Sequence, residues 1–416
     1  MADIPVALPD LGEAEARAAA EAVASGWVTQ GPRVAAFERA FAAVVGSPFA
    51  CAVSSCTAAL HLALVAVGVG PGDVVVTVSH SFIATANAVR YCGAEPVFLD
   101  IDPASGNLDP RELGRFLDAS CALRDGRPWY GEAGRLAAWP QSPLHGLAGP
   151  VGRVGAILVV HQVGMPADMA AILGLARPLG IPVVEDAACA AGSALFCADG
   201  TTLEPVGRPH GDVACFSFHP RKVITTGDGG MLTTANPDYD RRFRLLRQHG
   251  MSVSDAERHK SASVVFERYL ETGYNYRLTD IQAAVGLVQL GRLAGIVQRR
   301  RALAERYLER LAGLSGVVPP REPAWGRTNW QSFVVALAEP DRRTTVMQSL
   351  KDQGISTRRA VMCAHLEPPY QDAWPVGCLP RSEWASASGI VLPLYASMAE
   401  ADVDRVVEGL RQALAG

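Results

Sequence analysis

Between residues 55 and about 235, short β-branched runs and alanine-rich helical stretches take turns, and that alternation leaves few folds open. Thr57 to Val67 reads as a helix ending at Gly68, Val74 to Val78 as a strand, and Phe82 to Tyr91 as a helix ending near Gly93. Pro96 to Ile101, Gly155 to His161, Ile181 to Glu185, Val213 to Phe218 and Gly230 to Thr234 are further strand candidates, with a helix over Asp168 to Leu179. Strands that alternate with helices pair in parallel and need covering on both faces. The pattern therefore predicts an α/β fold with a mainly parallel sheet between helices. Ligands in such folds collect at the carboxyl ends of the strands. Asp186 and Ser217 fall at or near two of those ends.

After Asp280 a helical pattern rich in Leu, Ala and Arg runs through Leu308 and reads as a link between domains. Beyond about 310, β-like Ser332 to Leu337 alternates with helical Arg343 to Gln353 and Ala401 to Leu414. This gives a large domain at 1–290 and a smaller C-terminal α/β domain at 291–416. Ala119 to Arg153 mixes Gly, Pro, Trp and Arg without a period and reads as an inserted loop, either covering a substrate entrance or, the favoured reading, decorating the surface. Gly192 to Gly211 reads as an extended connection. The chain has 416 residues, 49% of them hydrophobic, enough for sizeable cores.

A formal charge of −4 without blocks of like charge leaves no footprint for nucleic acid. The start, Met1 to Val6, lacks the regions of a signal peptide, and no run of about 18 apolar residues stands out to span a bilayer. A cytoplasmic protein with no membrane partner is expected. Nine cysteines without a Cys-x-x-Cys pair read as reduced, mostly buried thiols, and no four-ligand spacing calls for a metal.

Only three of the 38 cationic residues are lysines: Lys222, Lys260 and Lys351. A guanidinium replaces an ammonium where only charge is wanted, but it cannot form a Schiff base with an aldehyde. Lys260 and Lys351 have polar or helical neighbours and read as surface residues. Lys222 sits in Ser217-Phe218-His219-Pro220-Arg221-Lys222-Val223-Ile224-Thr225-Thr226-Gly227-Asp228-Gly229-Gly230, which reads as chemical. Ser54-Ser55-Cys56-Thr57 opens a predicted helix, whose unpaired amides and dipole suit a phosphate as well as an ordinary cap. Asp186 ends an apolar strand, where a carboxylate needs a cationic partner: a protonated pyridine nitrogen, an internal salt bridge or a helix cap would each serve. With Phe82 available to cover a flat ring, the set suggests pyridoxal phosphate.

The chain resembles the DegT/StrS family of pyridoxal-phosphate-dependent aminotransferases of the type I fold. The resemblance rests on Ser25-Gly26-Trp27-Val28-Thr29-Gln30-Gly31-Pro32, Ser55-Cys56-Thr57-Ala58-Ala59-Leu60-His61, Ser81-Phe82-Ile83-Ala84-Thr85-Ala86-Asn87-Ala88, Glu185-Asp186-Ala187-Ala188, the Lys222 motif, Gly273-Tyr274-Asn275-Tyr276-Arg277 and Leu392-Pro393-Leu394-Tyr395. It implies that Lys222 bonds the cofactor aldehyde, Asp186 pairs with the ring nitrogen, and Phe82 and Ala188 cover the two ring faces. It also implies that Cys56, Thr57 and Ser217 contact the phosphate and that Asn275 reaches it from the neighbouring subunit of a homodimer. His161 and His219 would lie nearby, in packing or chemical roles. The implied activity is transfer of an amino group from glutamate or glutamine to a keto sugar, nucleotide-linked, or a keto-cyclitol, in secondary-metabolite (antibiotic) or surface-sugar biosynthesis. Elimination or dehydration on a similar sugar is the second reading, disfavoured because relatives doing that chemistry can carry histidine in place of the lysine. A non-catalytic cofactor-binding partner protein is the third. Where the family commonly has Gln or His three residues after the acid, this chain has Cys189, a weaker hydrogen-bond partner.

Overall fold

The computed structural model describes residues 3–197, 199–253, 264 and 266–415. Lys260 lies outside them. Among the described residues, eleven strands precede the long helix: β1 (Phe49–Val53), β2 (Asp73–Val78), β3 (Glu95–Leu99), β4 (Cys121–Arg124), β5 (Arg127–Tyr130), β6 (Arg153–Val160), β7 (Val183–Asp186), β8 (Ala194–Phe196), β9 (Leu203–Pro205), β10 (Val213–Ser217) and β11 (Gly230–Thr234). The main sheet runs β1-β11-β10-β7-β6-β2-β3. It is parallel from β10 through β7, β6 and β2 to β3, and antiparallel where β11 pairs with β10 and β1.

Both faces of this sheet are covered, so its strands are apolar almost throughout, and the two-residue period sorts them. Ala214 and Phe216 of β10 join the core containing Phe37, Phe41 and Leu290, whereas Val213 and Cys215 join the core containing Leu60, Leu62 and Leu64 of the helix Cys56–Ala66. On the first face Phe41 packs edge-on against Phe216 with ring centroids 5.0 Å apart.

Register decides which loops meet. Ser217 and Val53 both stand opposite Gly230, so the ends of β10 and β1 and the start of β11 lie at one edge of the sheet. Asp186 ends β7 at that same edge.

Strand β1 is an edge strand closed by side chains rather than by another strand. Glu38 accepts from Ala52 N at 2.9 Å, Arg244 donates to Ala50 O and Arg247 to Ala52 O, each at 2.7 Å, and both arginines pair with Glu38. Burial alone would push the Glu38 carboxyl up, but the two guanidiniums outweigh it and hold it below the usual range.

The insertion differs from expectation. Instead of a plain loop, β4 and β5 form a hairpin that joins the main sheet at Trp129 opposite Arg153, followed by the helix Ala133–Ala137. Asp125 and Gly126 both take positive φ, 51° and 74°, in a two-residue turn. The Asp-Gly pair was the available signal. Arg153 begins β6, and Ser142 bonds Glu95 at the start of β3 (3.1 Å), so the insertion is attached at the amino ends of the strands, the far side from Asp186. The connection Gly192 to Gly211 contains β8 and β9, to which β13 (Gly326–Arg327) adds a third antiparallel strand beyond β12 (Val317–Val318).

A second, antiparallel sheet orders β12-β14-β16-β15, with β14 at Phe333–Leu337, β15 at Arg358–Arg359 and β16 at Gly389–Leu392. The helix Asp280–Leu311 serves both cores: Leu290, Leu293 and Val297 pack in the first, Leu303, Tyr307 and Leu311 in the second. Although long and apolar enough by length and composition to cross a membrane, it has half of its most apolar window buried inside the protein. Arg292, Arg299, Arg300 and Arg301 interrupt the apolar run.

Replacing Glu38 by Ala strands the buried Arg247 guanidinium and is expected to destabilise the fold by about 3–5 kcal/mol in chemical denaturation. Because its folded pKa is depressed, Glu38 stabilises above the ordinary glutamate range and loses that contribution as pH falls through the folded value. The variant should therefore show a shallower acid limb in stability against pH.

Candidate active site

At the end of β7 the Asp186 side chain is 6% exposed. Its Oδ2 accepts from Thr85 Oγ1 at 2.8 Å and its Oδ1 from Ala188 N at 3.2 Å. Thr85 in turn shares a 2.7 Å bond with Ser81, either hydroxyl being able to donate. Both partners of Asp186 are neutral, and among the described residues it forms no salt bridge. Burial accordingly raises its pKa, and the Thr85 and Ala188 hydrogen bonds, with the nearby Lys222 charge, only partly oppose that.

Next to β7, β10 ends at Ser217, and the chain folds through a tight loop before returning as β11. Phe218 N donates to Gly229 O at 2.9 Å and Thr226 N to Phe218 O at 3.0 Å, closing the loop that carries Lys222. Lys222 Nζ lies 3.1 Å from Cys189 Sγ, a contact the sequence did not announce. Burial pulls the ammonium down, but the Cys189 sulfur, with Cys56 and Asp186 nearby, outweighs it and holds Lys222 above its ordinary range. His219 is pulled down by burial and by the cations Arg221 and Lys222.

The third wall comes from β1. After Val53 the chain turns into the helix Cys56–Ala66, whose cap Ser55 accepts from Ala58 N at 3.1 Å. This leaves the first amides, of Cys56 and Thr57, as the unpaired donors of a helix N-terminus. Cys56 offers its amide rather than its thiol, because Sγ turns inward to Cys215 O at 3.6 Å. Glycine at 230 is what lets β11 start here: a Cβ there would sit 2.4 Å from Ser55 O.

Phe82, the residue before the helix Ile83–Tyr91, is 64% exposed, and Thr85 one turn on ties that helix to Asp186. Ala188 sits in the turn after β7 and is partly exposed. Thus Lys222, Asp186, Cys56, Thr57, Ser217, Ala188 and Phe82 come from the elements that converge at one edge of the sheet. Asn275 is exposed, in a segment that Ser54 N anchors through Tyr276 O at 2.8 Å. His161 is committed to structure. Its Nδ1 accepts from Ala167 N at 3.0 Å, so the proton sits on Nε2, 2.9 Å from Glu185 Oε2. Sequence reasoning missed Thr85 as the partner of Asp186, although it lay within the quoted Ser81 to Ala88 segment. It also missed Asn329 and Gln331: Asn329 Nδ2 donates to Cys189 O at 2.8 Å, and Gln331 Nε2 to Arg221 O at 2.5 Å.

A buried acid that forms no salt bridge among the described residues, the open amides of a helix N-terminus and a primary amine suit a phosphorylated aldehyde on a basic heteroaromatic ring. The donor set therefore fits pyridoxal phosphate.

Comparison with known proteins agrees. The model of the DegT/DnrJ/EryC1/StrS aminotransferase family matches residues 9–121 and 150–411. Among solved structures, the aminotransferase TlmJ from Streptoalloteichus hindustanus is 33% identical with a TM-score of 0.81, covering 99% of each chain. DesV of S. venezuelae is 30% identical with a TM-score of 0.80, covering 99% of this chain and 98% of its own. DesI, solved in the presence of its TDP-sugar product, is 28% identical with a TM-score of 0.79, covering 99% and 93%.

Asp186→Asn should separate folding from binding. The amide can keep both bonds if Thr85 passes its proton to Ser81, and it removes a buried charge whose raised pKa makes the charged form cost stability as pH rises. The cofactor-free variant is expected to melt at or above the wild-type temperature at pH 8, while cofactor affinity falls about tenfold or more, equivalent to losing a charged hydrogen bond of ~1.5–3 kcal/mol. Scanning calorimetry and cofactor titration read the two effects.

Proposed function

Because the chain belongs to the DegT/DnrJ/EryC1/StrS aminotransferase family, we propose that it moves an amino group from glutamate or glutamine to the ketone of a nucleotide-linked sugar, using Asp186 and Lys222. It is a pyridoxal-phosphate-dependent aminotransferase of the type I fold. The observation that carries the residue assignment is the buried Asp186 carboxylate, bonded only to neutral donors.

When bound, pyridoxal phosphate supplies an aldehyde that bonds amines covalently and a protonated ring that draws electrons from the carbon next to the nitrogen. Asp186 would keep the ring nitrogen protonated, and Thr85 and Ala188 N aim its carboxylate. The Cys56 and Thr57 amides and the Ser217 hydroxyl would take the phosphate. Phe82 and Ala188 would cover the ring faces and exclude water. Lys222 would hold the cofactor at rest; once a donor amine has displaced it, its Nζ would take the proton from the donor α-carbon as a base and deliver it as an acid to the cofactor's former aldehyde carbon. Asn275, exposed on its own protomer, would reach the phosphate of the neighbouring subunit, so the working unit is a homodimer with shared sites, working in the cytoplasm. The nucleotide-linked substrate is inferred from DesI and its TDP-sugar product; a keto-cyclitol has the same reacting group. Retention of Lys222 favours transfer over elimination. The insertion stands at the opposite edge of the sheet, which supports its reading as decoration.

Borohydride reduction of the purified enzyme followed by peptide mapping should place the cofactor on Lys222. Label on Lys260 or Lys351 would overturn the assignment. Lys222→Ala should lower kcat by about 10²–10⁴-fold or more with glutamate or glutamine and a TDP-linked keto sugar. Mixing Lys222→Ala with Asn275→Ala protomers should restore activity above either variant alone, because one of the two sites in each mixed dimer is then intact; no gain would remove the shared site.

A further inference from the structure

The Cys189 to Lys222 contact stands outside the roles assigned above, and both of its members are fastened by one segment of the C-terminal part. Asn329 Nδ2 donates to Cys189 O and to Ala191 O, each at 2.8 Å, which fixes the turn carrying the thiol. Gln331 Nε2 donates to Arg221 O at 2.5 Å, and Lys222 N to His219 O at 2.8 Å, which fixes the loop carrying the amine. The two clamps are themselves joined, Gln331 N donating to Asn329 Oδ1 at 2.8 Å. Gly164 completes the fit, since a Cβ there would fall 2.0 Å from Asn329 Oδ1. The sulfur and the nitrogen thus meet because their backbones are held.

We propose that Cys189 is a positioning residue for Lys222: its sulfur receives the Nζ ammonium whenever the amine is not bonded to the cofactor, holding it at the site. The inference rests on the reading of Lys222 as the cofactor-bearing amine for its functional consequence, though the contact belongs to the cofactor-free protein. During turnover the freed amine gains a proton, and an ammonium on a flexible stem would otherwise swing toward water. A sulfur at 3.1 Å gives it a polarizable acceptor beside its point of return. The titratable groups facing the amine are Cys189 and Asp186 from the end of β7 and the turn after it, Cys56 from the helix N-terminus and His219 from its own loop. Cys56 is pushed well up by burial and Asp186 is raised. Cys189 is the partner in hydrogen-bond contact.

With only three lysines, competitive acetylation of the cofactor-free full chain by acetic anhydride, read by peptide mass spectrometry from pH 7 to 11, resolves Lys222 directly. In Cys189→Ala, burial acts on the ammonium with its closest opposing group removed. Lys222 is then expected to label about tenfold faster than wild type at pH 8, with Lys351 unchanged as the internal reference. Cys189→Ser, which restores an acceptor, should fall between them and guards against misfolding of the alanine variant. In the loaded enzyme Cys189→Ala should lower kcat about fivefold or more while the donor KM stays within twofold, with partial rescue by Ser. Superimposable labelling profiles for wild type, Ala and Ser would overturn the inference. If borohydride trapping fails at Lys222, the functional reading falls while the labelling result still reports on the contact; if trapping succeeds and labelling does not change, only the positioning role falls.

Discussion

A carboxylate buried without an ion pair is costly in any fold, and Asp186 is such a group at the end of β7, hydrogen-bonded only to neutral donors, with the nearby Lys222 charge only partly offsetting its burial. The parallel strands carry it to the edge of the sheet, the Thr85 helix and the Ala188 turn aim it, and on the proposed reading the ring nitrogen of the cofactor would relieve it. On that reading stability is conceded at one residue so that a charged ring nitrogen has somewhere to bind. The neighbouring elements follow from that placement: β10 must end beside β7 to deliver the Lys222 loop, and β1 must run against β11 for the helix amides to open on the same edge.

The smaller sheet is more than an appendage to this arrangement. Arg300, on the helix shared by both cores, donates to Trp330 O at 2.9 Å, Gln331 O at 2.6 Å and Leu394 O at 3.1 Å and has no acidic partner among the described residues. Burial pulls its pKa down to about 10. A buried guanidinium satisfied by three carbonyls fixes Trp330, whose φ is 53°, and with it the segment bearing Asn329 and Gln331. The chain of contacts runs from the inter-sheet helix through that segment to both the Lys222 loop and the Cys189 turn. Any shift of the smaller sheet would therefore be felt at the amine.

Much of this was legible in the residues. The alternation of β2, β6, β7 and β10 with helices gave the parallel sheet, because strands buried on both faces must be apolar throughout. Asp186 and Lys222 stood out because an acid ending an apolar strand needs a partner and a lysine in an arginine-rich chain offers chemistry that arginine cannot, although a cap or a salt bridge would also have accounted for Asp186. What stayed hidden depends on long-range partners. Strand β1 escaped notice because its outer edge is satisfied by Glu38, Arg244 and Arg247, residues distant in sequence. The hairpin within 119–153 was obscured by its short strands, although Asp125-Gly126 marked its turn. Asn329 and Gln331 carry no local sign of their role, since each bonds a carbonyl far along the chain. The side-chain direction of Cys56, inward to β10, could not be read from a helix cap alone.

The closure of β1 has a further consequence. With Ala50 O, Ala52 N and Ala52 O occupied, this margin of the main sheet offers little template to an incoming polypeptide. Accretion of copies through a continuous β-ladder is blocked on that side, and any association there must proceed through helices and loops, whose contacts can be gained or lost without reopening the backbone.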